Sequence, residues 1–508
     1  DAFQVEMRPD SVSSLDARYN VINWVHRSTR GWSTGGSVTD PRTGEIMKGV
    51  VTLGSLRIRQ DYMIAEGLLS PYENGDETPP ELAEWSLARI RQLSAHEVGH
   101  TIGLGHNYYN SGAGRISVMD YPHHLVNLNN DGSLDYSEVY DIDIGDWDKV
   151  AVNYGYREFA DGTNETDELG SILEVAWGDD IRYMSNQDIS TTPQADQWAN
   201  GSDVGVELHR MMDVRNVALS RFGVEAIQSG APMATIEETL VPLYLHHRFQ
   251  VESTASAVGG VEYTYAMRGD GLQPFQRVSA KAQGEAIDAL MRTLQLSELK
   301  VPDHILSLIP PRPPGYGRHR EMFPRYTGSA FDAVTPAVVA ASHTVNFLLE
   351  ESRAARLVEQ NALDPTLPGL RDVLTRLFET TLGAETDSPY DMSVKRAVVG
   401  VVIDRVKWLA ANSPMLEVRG TASSMLRMVS GSMSSNQQEG SLAEFLAKDI
   451  QRFLDRPAEN YREIDQVAPP PGAPIGQPAM DWIRLSEPWC TWFEKDWSGM
   501  LPAGAYWN

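Results

Sequence analysis

Three histidines and one glutamate carry the most specific chemistry that this sequence can perform. They stand in the run His96-Glu97-Val98-Gly99-His100-Thr101-Ile102-Gly103-Leu104-Gly105-His106. On a helix, positions i and i+4 lie one turn apart on the same face. Two imidazoles so placed can each bring a ring nitrogen to about 2.0–2.1 Å from one Zn²⁺. His106 cannot share that face if the helix runs straight. The chain must turn back, and Gly103 permits the backbone geometry. Three protein ligands leave a fourth position for water, the mark of a catalytic rather than a structural site. Glu97, next to His96, can reach that water and take its proton during attack on a peptide carbonyl. The rival reading is a helix that merely carries surface or core histidines. A bare H-E-x-x-H would allow it; the full eleven-residue pattern argues against it.

That longer pattern is the metzincin signature. Its second half follows at Ser117-Val118-Met119-Asp120-Tyr121-Pro122. In metzincins a methionine turn forms an apolar floor under the histidine ligands without binding the metal, and Met119 takes that place. Tyr121 resembles the tyrosine of astacin-like and serralysin-like members, whose phenol sits near the metal and donates to the oxyanion. An isolated methionine or tyrosine would be ordinary core; here the context favours the site.

Other clusters are less specific. Asn127, Asn129, Asp131, Asp135 and Glu138 match the oxygen-ligand spacing of a calcium loop, with Gly132 at the sharp turn. Ca²⁺ is therefore the second cofactor the sequence offers. Asn at the first position and the absence of evident flanking helices favour a plain turn instead. Asp179, Asp180 and Asp203 read as solvated loop residues. His123 and His124 follow the methionine turn and receive no role. His246 and His247, adjacent on an amphipathic helix, face different sides and read as surface and core. Cys490 has no basic neighbour in sequence and reads as inert.

The elements that must position these residues can be read coarsely. Tyr19 to Val25 is β-rich, and Phe3 to Met7 alternates as a strand does. Asp40-Pro41-Arg42-Thr43-Gly44 is a turn, flanked by segments that make a hairpin with Ile46 to Leu53. Val50 to Gly54 is the candidate sheet edge on which a peptide substrate would add as a strand. A helix is expected at about Arg57 to Leu69. Another opens at Pro79-Pro80, with Glu81 and Glu84 suited to its N-terminal dipole, and runs into His100. From about Phe159 onward the segments Val204–Phe222, Thr235–Val258, Ser279–Leu299, Ala333–Gln360 and Leu370–Leu382 read as amphipathic helices. A Pro-rich stretch at Pro469 to Pro478 precedes a Trp-rich tail.

The expected fold is thus an α/β (α+β) metzincin catalytic domain over 1–158, with a mixed twisted sheet and a zinc-binding helix. A large, mostly helical domain follows over 159–468, and a Pro-rich linker and tail over 469–508. The chain's 508 residues are too many for one ordinary core. Hydrophobic residues at 42% and charged residues at 22% are those of a globular chain. No window is apolar enough for a transmembrane segment. The net charge of −26 argues against nucleic acid and against anionic lipid as partners. A single cysteine excludes an intrachain disulfide.

A closer resemblance emerges from further motifs. Arg18-Tyr19-Asn20-Val21-Ile22-Asn23-Trp24-Val25, Arg30-Gly31-Trp32-Ser33, Asp40 to Ile46, Gly145-Asp146-Trp147-Asp148-Lys149-Val150 and Tyr154-Gly155-Tyr156 resemble the bacterial Met-zincin family of large zinc-dependent metalloproteases. The resemblance persists more loosely at Tyr244 to Tyr265 and at Pro471 to Gly476. It implies a zinc endopeptidase acting on peptides or proteins, secreted, periplasmic or attached to the cell envelope. It also implies a first strand and long helix before Phe3, which this sequence does not contain. The expectation is a processed product of a longer precursor, with the N-terminal fragment as a companion, or else a trimmed chain. Two rivals remain: an autoprocessing enzyme, and a peptide-binding protein that kept the metal site without hydrolysis. Retention of Glu97 argues against the second.

Overall fold

The computed structural model describes residues 4–26, 33–73, 79–198, 200–435 and 440–456. Arg30 to Trp32, Pro471 to Gly476, Cys490 and the Trp-rich tail lie outside the described residues. The first sheet holds β1 (Val21–Val25), β2 (Thr34–Thr39) and β3 (Ile46–Gly54) in the order β1-β3-β2. β1 runs parallel to β3, and β2 antiparallel to it. The predicted hairpin is present. Its turn closes through Gly44 N–H donating to Asp40 O at 2.8 Å, with Gly44 at φ 77° where a side chain would be strained.

Two expectations for this sheet are corrected. Val50 to Gly54 belongs to β3, the central strand, so it cannot be the edge. Its burial is nearly continuous, as for a strand covered on both faces. The antiparallel edge is β2. Second, Gln4 to Met7 forms no strand; Val5 and Met7 are 81% and 94% exposed. Alternation alone does not make a strand when no described partner lies beside it.

α1 (Leu56–Leu69) follows β3, and α2 (Pro80–Thr101) is the long helix of the histidine motif. Pro80 occupies the first turn of α2, where a missing N–H leaves no bond unmade, and Glu81 faces the positive helix end. β4 (Asn127–Leu128) and β5 (Leu134–Asp135) form a small hairpin, and α3 (Asp146–Tyr156) and α4 (Glu165–Gly178) come next.

Beyond them lie α5 (Val204–Arg221), α6 (Ile236–Tyr244), α7 (Arg248–Ala257) and a hairpin of β6 (Val261–Tyr263) and β7 (Phe275–Arg277). Then come α8 (Ala280–Arg292), α9 (Leu296–Leu299), α10 (Asp303–Leu306), α11 (Thr335–Leu348) and α12 (Glu351–Leu363). The last are α13 (Leu370–Thr381), α14 (Pro389–Asn412), α15 (Leu416–Ser435) and α16 (Gly440–Asp455). Three stretches that read as single helices are broken by local caps and turns. Thr235 to Val258 bends at Leu245 to His247 between α6 and α7. Ser279 to Leu299 divides into α8 and α9. Ala333 to Gln360 breaks where Glu350 caps α12, accepting from Ser352 N and Arg353 N.

One buried apolar cluster runs through much of the chain. It joins Ile64 and Leu68 of α1, Trp85 of α2 and Val126 to Leu240, Leu290, Val402 and Phe453 of the later helices. This core crosses position 158 without interruption.

Candidate metal centre

α2 carries His96, Glu97 and His100 in its last turns, all buried. The helix then stops in a Schellman turn. Gly103 N–H donates to His100 O and Leu104 N–H donates to Gly99 O, with Gly103 at φ 89°. Gly103 thus performs the reversal expected of it, and His106 returns to the two helical histidines. Ring centroids stand 4.7 Å apart for His96 and His100, 4.8 Å for His100 and His106, and 5.3 Å for His96 and His106. One nitrogen from each ring lies within 4.8 Å of the others.

The outer nitrogens decide which atoms face inward. His96 Nδ1 lies 2.7 Å from Val118 O, His100 Nδ1 2.8 Å from Leu104 O, and His106 Nδ1 3.2 Å from Asn186 Oδ1. Each partner is an oxygen acceptor, so each Nδ1 is a donor and each Nε2 keeps its lone pair. His96 Nε2 and His100 Nε2 are 3.2 Å apart. Burial, with mutual repulsion among the rings, pushes His96 and His106 well below the ordinary imidazole range, and burial brings His100 down to about 4. The three rings are therefore neutral, which is the ligand form. Three oriented, neutral imidazoles fit a zinc ion.

Met119 lies fully buried beneath this group. A Cβ on Gly99 would fall 2.3 Å from Met119 Sδ, so the thioether occupies the place of a side chain between the two helical histidines. The turn that holds Met119 is fastened by Asp148. Its carboxylate accepts from Ser117 Oγ at 2.7 Å, Val118 N at 2.8 Å and Gly145 N at 2.7 Å. Gly145 begins α3 against Ile116, where a Cβ would meet Ile116 O at 2.0 Å.

Glu97 is 1% exposed, and β2 crosses its backbone so closely that a Cβ on Gly35 would lie 2.0 Å from Glu97 O. Burial pushes the Glu97 carboxyl up to about 8, against the charge of Arg89 and a hydrogen bond from the Gly35 backbone. Its Oε2 is buried with no hydrogen-bond partner among the described residues. Tyr121 is fully buried, and its hydroxyl lies 3.0 Å from His106 Nε2. Tyr108 and Trp198 pack on its ring at 5.3 and 6.0 Å.

The sequence identified the histidines, Glu97, Met119 and Tyr121, and the fold brings them together. It assigned no role to Asp148, though the motif from Gly145 to Val150 contained it. Asn186 and Gly35 left no signal, since only the folded chain sets them beside His106 and Glu97.

The calcium loop is not assembled. Asn127 to Asp135 forms the β4–β5 hairpin, with Gly132 at φ 80°. Asp131 Oδ1 accepts from Ser133 N at 2.9 Å, and Asp135 Oδ1 accepts from Ser137 N at 3.0 Å. These carboxylates shape turns, and Asp131, Asp135 and Glu138 do not gather into a metal-sized group. Asp203 caps α5 through Gly205 N and Val206 N, and Asp180 accepts from Tyr109, Ser111 and Gly112. The carboxylates of the 127–138 loop thus shape turns, as the simpler reading held, whereas Asp180 and Asp203, which read as solvated loop residues, bind Tyr109 and Ser111 and cap α5.

Among the described residues no helix is long and apolar enough to cross a membrane. A family model described as Met-zincin matches residues 78–388, a span from just before α2 to just before α14. No curated protein and no solved structure matches the chain.

Proposed function

Because the chain belongs to the Met-zincin family, we propose that it is a zinc-dependent endopeptidase with His96, His100 and His106 as ligands and Glu97 as general base. One observation carries the reading: three neutral imidazoles turn their Nε2 atoms together while each Nδ1 is held by an oxygen acceptor. A zinc ion bound there supplies Lewis-acid polarisation of a carbonyl and lowers the pKa of water to about 7.

The protein's own groups do the rest. Glu97 takes the proton of the attacking water and hands it to the leaving amine. Its burial keeps competing water away from the carboxylate. Tyr121 donates its phenol hydrogen to the substrate oxygen as that oxygen gains charge. β2 pairs on one side only among the described residues and passes over Glu97, so it can receive an extended peptide as an added antiparallel strand. Main-chain hydrogen bonds of that kind select an extended backbone rather than a particular side chain. A place of action in the periplasm, outside the cell or on its envelope is the one the family resemblance favours.

The test is digestion of a peptide library with mass analysis of the products. Internal cleavage that stops with a chelator and returns with Zn²⁺ is expected. Intact peptides after incubation with the zinc-loaded chain would refute the proposal.

A further inference from the structure

Three more of the chain's twelve histidines meet away from the first cluster. His123 and His124 follow the Met119 turn, and His246 sits in the bend between α6 and α7. From the sequence, His246 and its neighbour His247 read as surface and core. In the fold both are buried at 3% exposure, with His123 at 1% and His124 at 0%. One ring nitrogen from each of His123, His124 and His246 lies within 4.8 Å of the others. His124 Nε2 and His246 Nδ1 stand 3.3 Å apart. Two nitrogens on one tetrahedral zinc at about 2.0–2.1 Å would stand about 3.4 Å apart. The first cluster shows nearly the same spacing, 3.2 Å between His96 Nε2 and His100 Nε2.

We propose that His123, His124 and His246 bind a second divalent transition-metal ion of the zinc class, which ties the Met119 turn to the α6–α7 bend. Plain packing explains the cluster poorly. A neutral imidazole carries one N–H and one lone pair, and buried polar atoms are normally partnered. His123 Nδ1, His124 Nδ1 and His246 Nε2 have no hydrogen-bond partner among the described residues. A single ring-to-ring contact of hydrogen-bond length joins the group. An ion between His124 Nε2 and His246 Nδ1 would bond those two rings and His123 together, and would leave His124 Nδ1 and His246 Nε2 as the outer N–H groups.

Burial and the guanidinium groups of Arg89, Arg210 and Arg248 oppose protonation, so the rings stand ready as ligands. The same guanidinium groups repel a dication, so this site should bind more weakly than the first. Trp85 packs on His124 at 5.3 Å and Phe249 on His123 at 5.6 Å, which encloses the group. Three imidazoles with no carboxylate suit an ion of the zinc, copper or nickel group.

The experiment counts metal in the full chain after saturation with Zn²⁺ and removal of the excess. Wild type should hold two equivalents. A His100→Gln/His106→Gln double variant should keep one, and His246→Gln should also keep one. The Zn²⁺-induced rise in unfolding temperature should shrink but not vanish in each. One equivalent in wild type with none in the double variant would overturn the second site, whatever becomes of His246→Gln. Failure of the first site alone would appear differently, as one equivalent in wild type that the double variant retains.

Discussion

Tyr121 places its hydroxyl 3.0 Å from His106 Nε2, on the side of the ring that faces the other ligands. If it donates to the developing oxyanion, Tyr121→Phe should lower kcat about 10²–10³-fold, the range seen when one such donor is removed. Zinc content should not change. Steady-state kinetics beside metal analysis checks this, and wild-type turnover in the variant would remove Tyr121 from the mechanism. Asn186 tests the outer contacts in the same way. Asn186→Ala frees His106 Nδ1 from its acceptor and should weaken zinc binding about 10–100-fold. Titration against a competing chelator measures it. At this scale the sequence was informative where ligands are close along the chain. His96, Glu97, His100 and His106 lie within eleven residues, and helix periodicity alone sets two of them on one face. Asn186 reaches His106 only through the folded chain, so no local pattern could mark it.

Elements hold these residues by close approach rather than by many bonds. α2 meets Met119 at Gly99, and β2 meets α2 at Gly35. Gly99→Ala would drive a methyl group toward Met119 Sδ, a flexible group that can shift. The expected loss is about 1–3 kcal/mol, read from the midpoint of urea unfolding. Gly35→Ala is worse placed, because its Cβ would meet the backbone carbonyl of Glu97, which cannot move without bending α2. The sequence showed a hairpin here, and the turn from Asp40 to Gly44 was correctly located. It did not show which strand was the edge. β1 comes before β2 in the chain yet pairs with β3, and that crossing is a matter of topology rather than of local composition. The Gln4 to Met7 alternation misled for the opposite reason: a period of two describes a strand only when a sheet receives it.

At the scale of the whole molecule, α1, α2 and the later helices share one apolar core, and Tyr121 and Met119 sit in two smaller clusters beside it. Residues 1–158 expressed alone should therefore fail to give a cooperative unfolding transition, while the full chain should unfold with loss of helix and loss of zinc together. Asp196 offers a probe of the interior. Burial pushes its carboxyl up to about 6, while its backbone N–H donates to Tyr108 O at 2.9 Å. A carboxyl raised in the fold holds a proton that the unfolded chain has already released. Its contribution to stability is thus present below about pH 4 and is lost as pH climbs through 6, by at most about 3 kcal/mol. Asp196→Asn should flatten the stability profile over that window in urea titrations at pH 4.5 and 7; parallel profiles would contradict the assignment. The central claim is that Glu97 acts on water beside a metal held by three histidines. Its most direct test is cleavage of one peptide substrate by zinc-loaded wild type and zinc-loaded Glu97→Gln. Equal zinc content at the first site and a fall in turnover of about 10²–10⁴-fold in the variant are expected. Cleavage at the wild-type rate by Glu97→Gln, or wild-type chain that holds zinc and cleaves nothing, would contradict it.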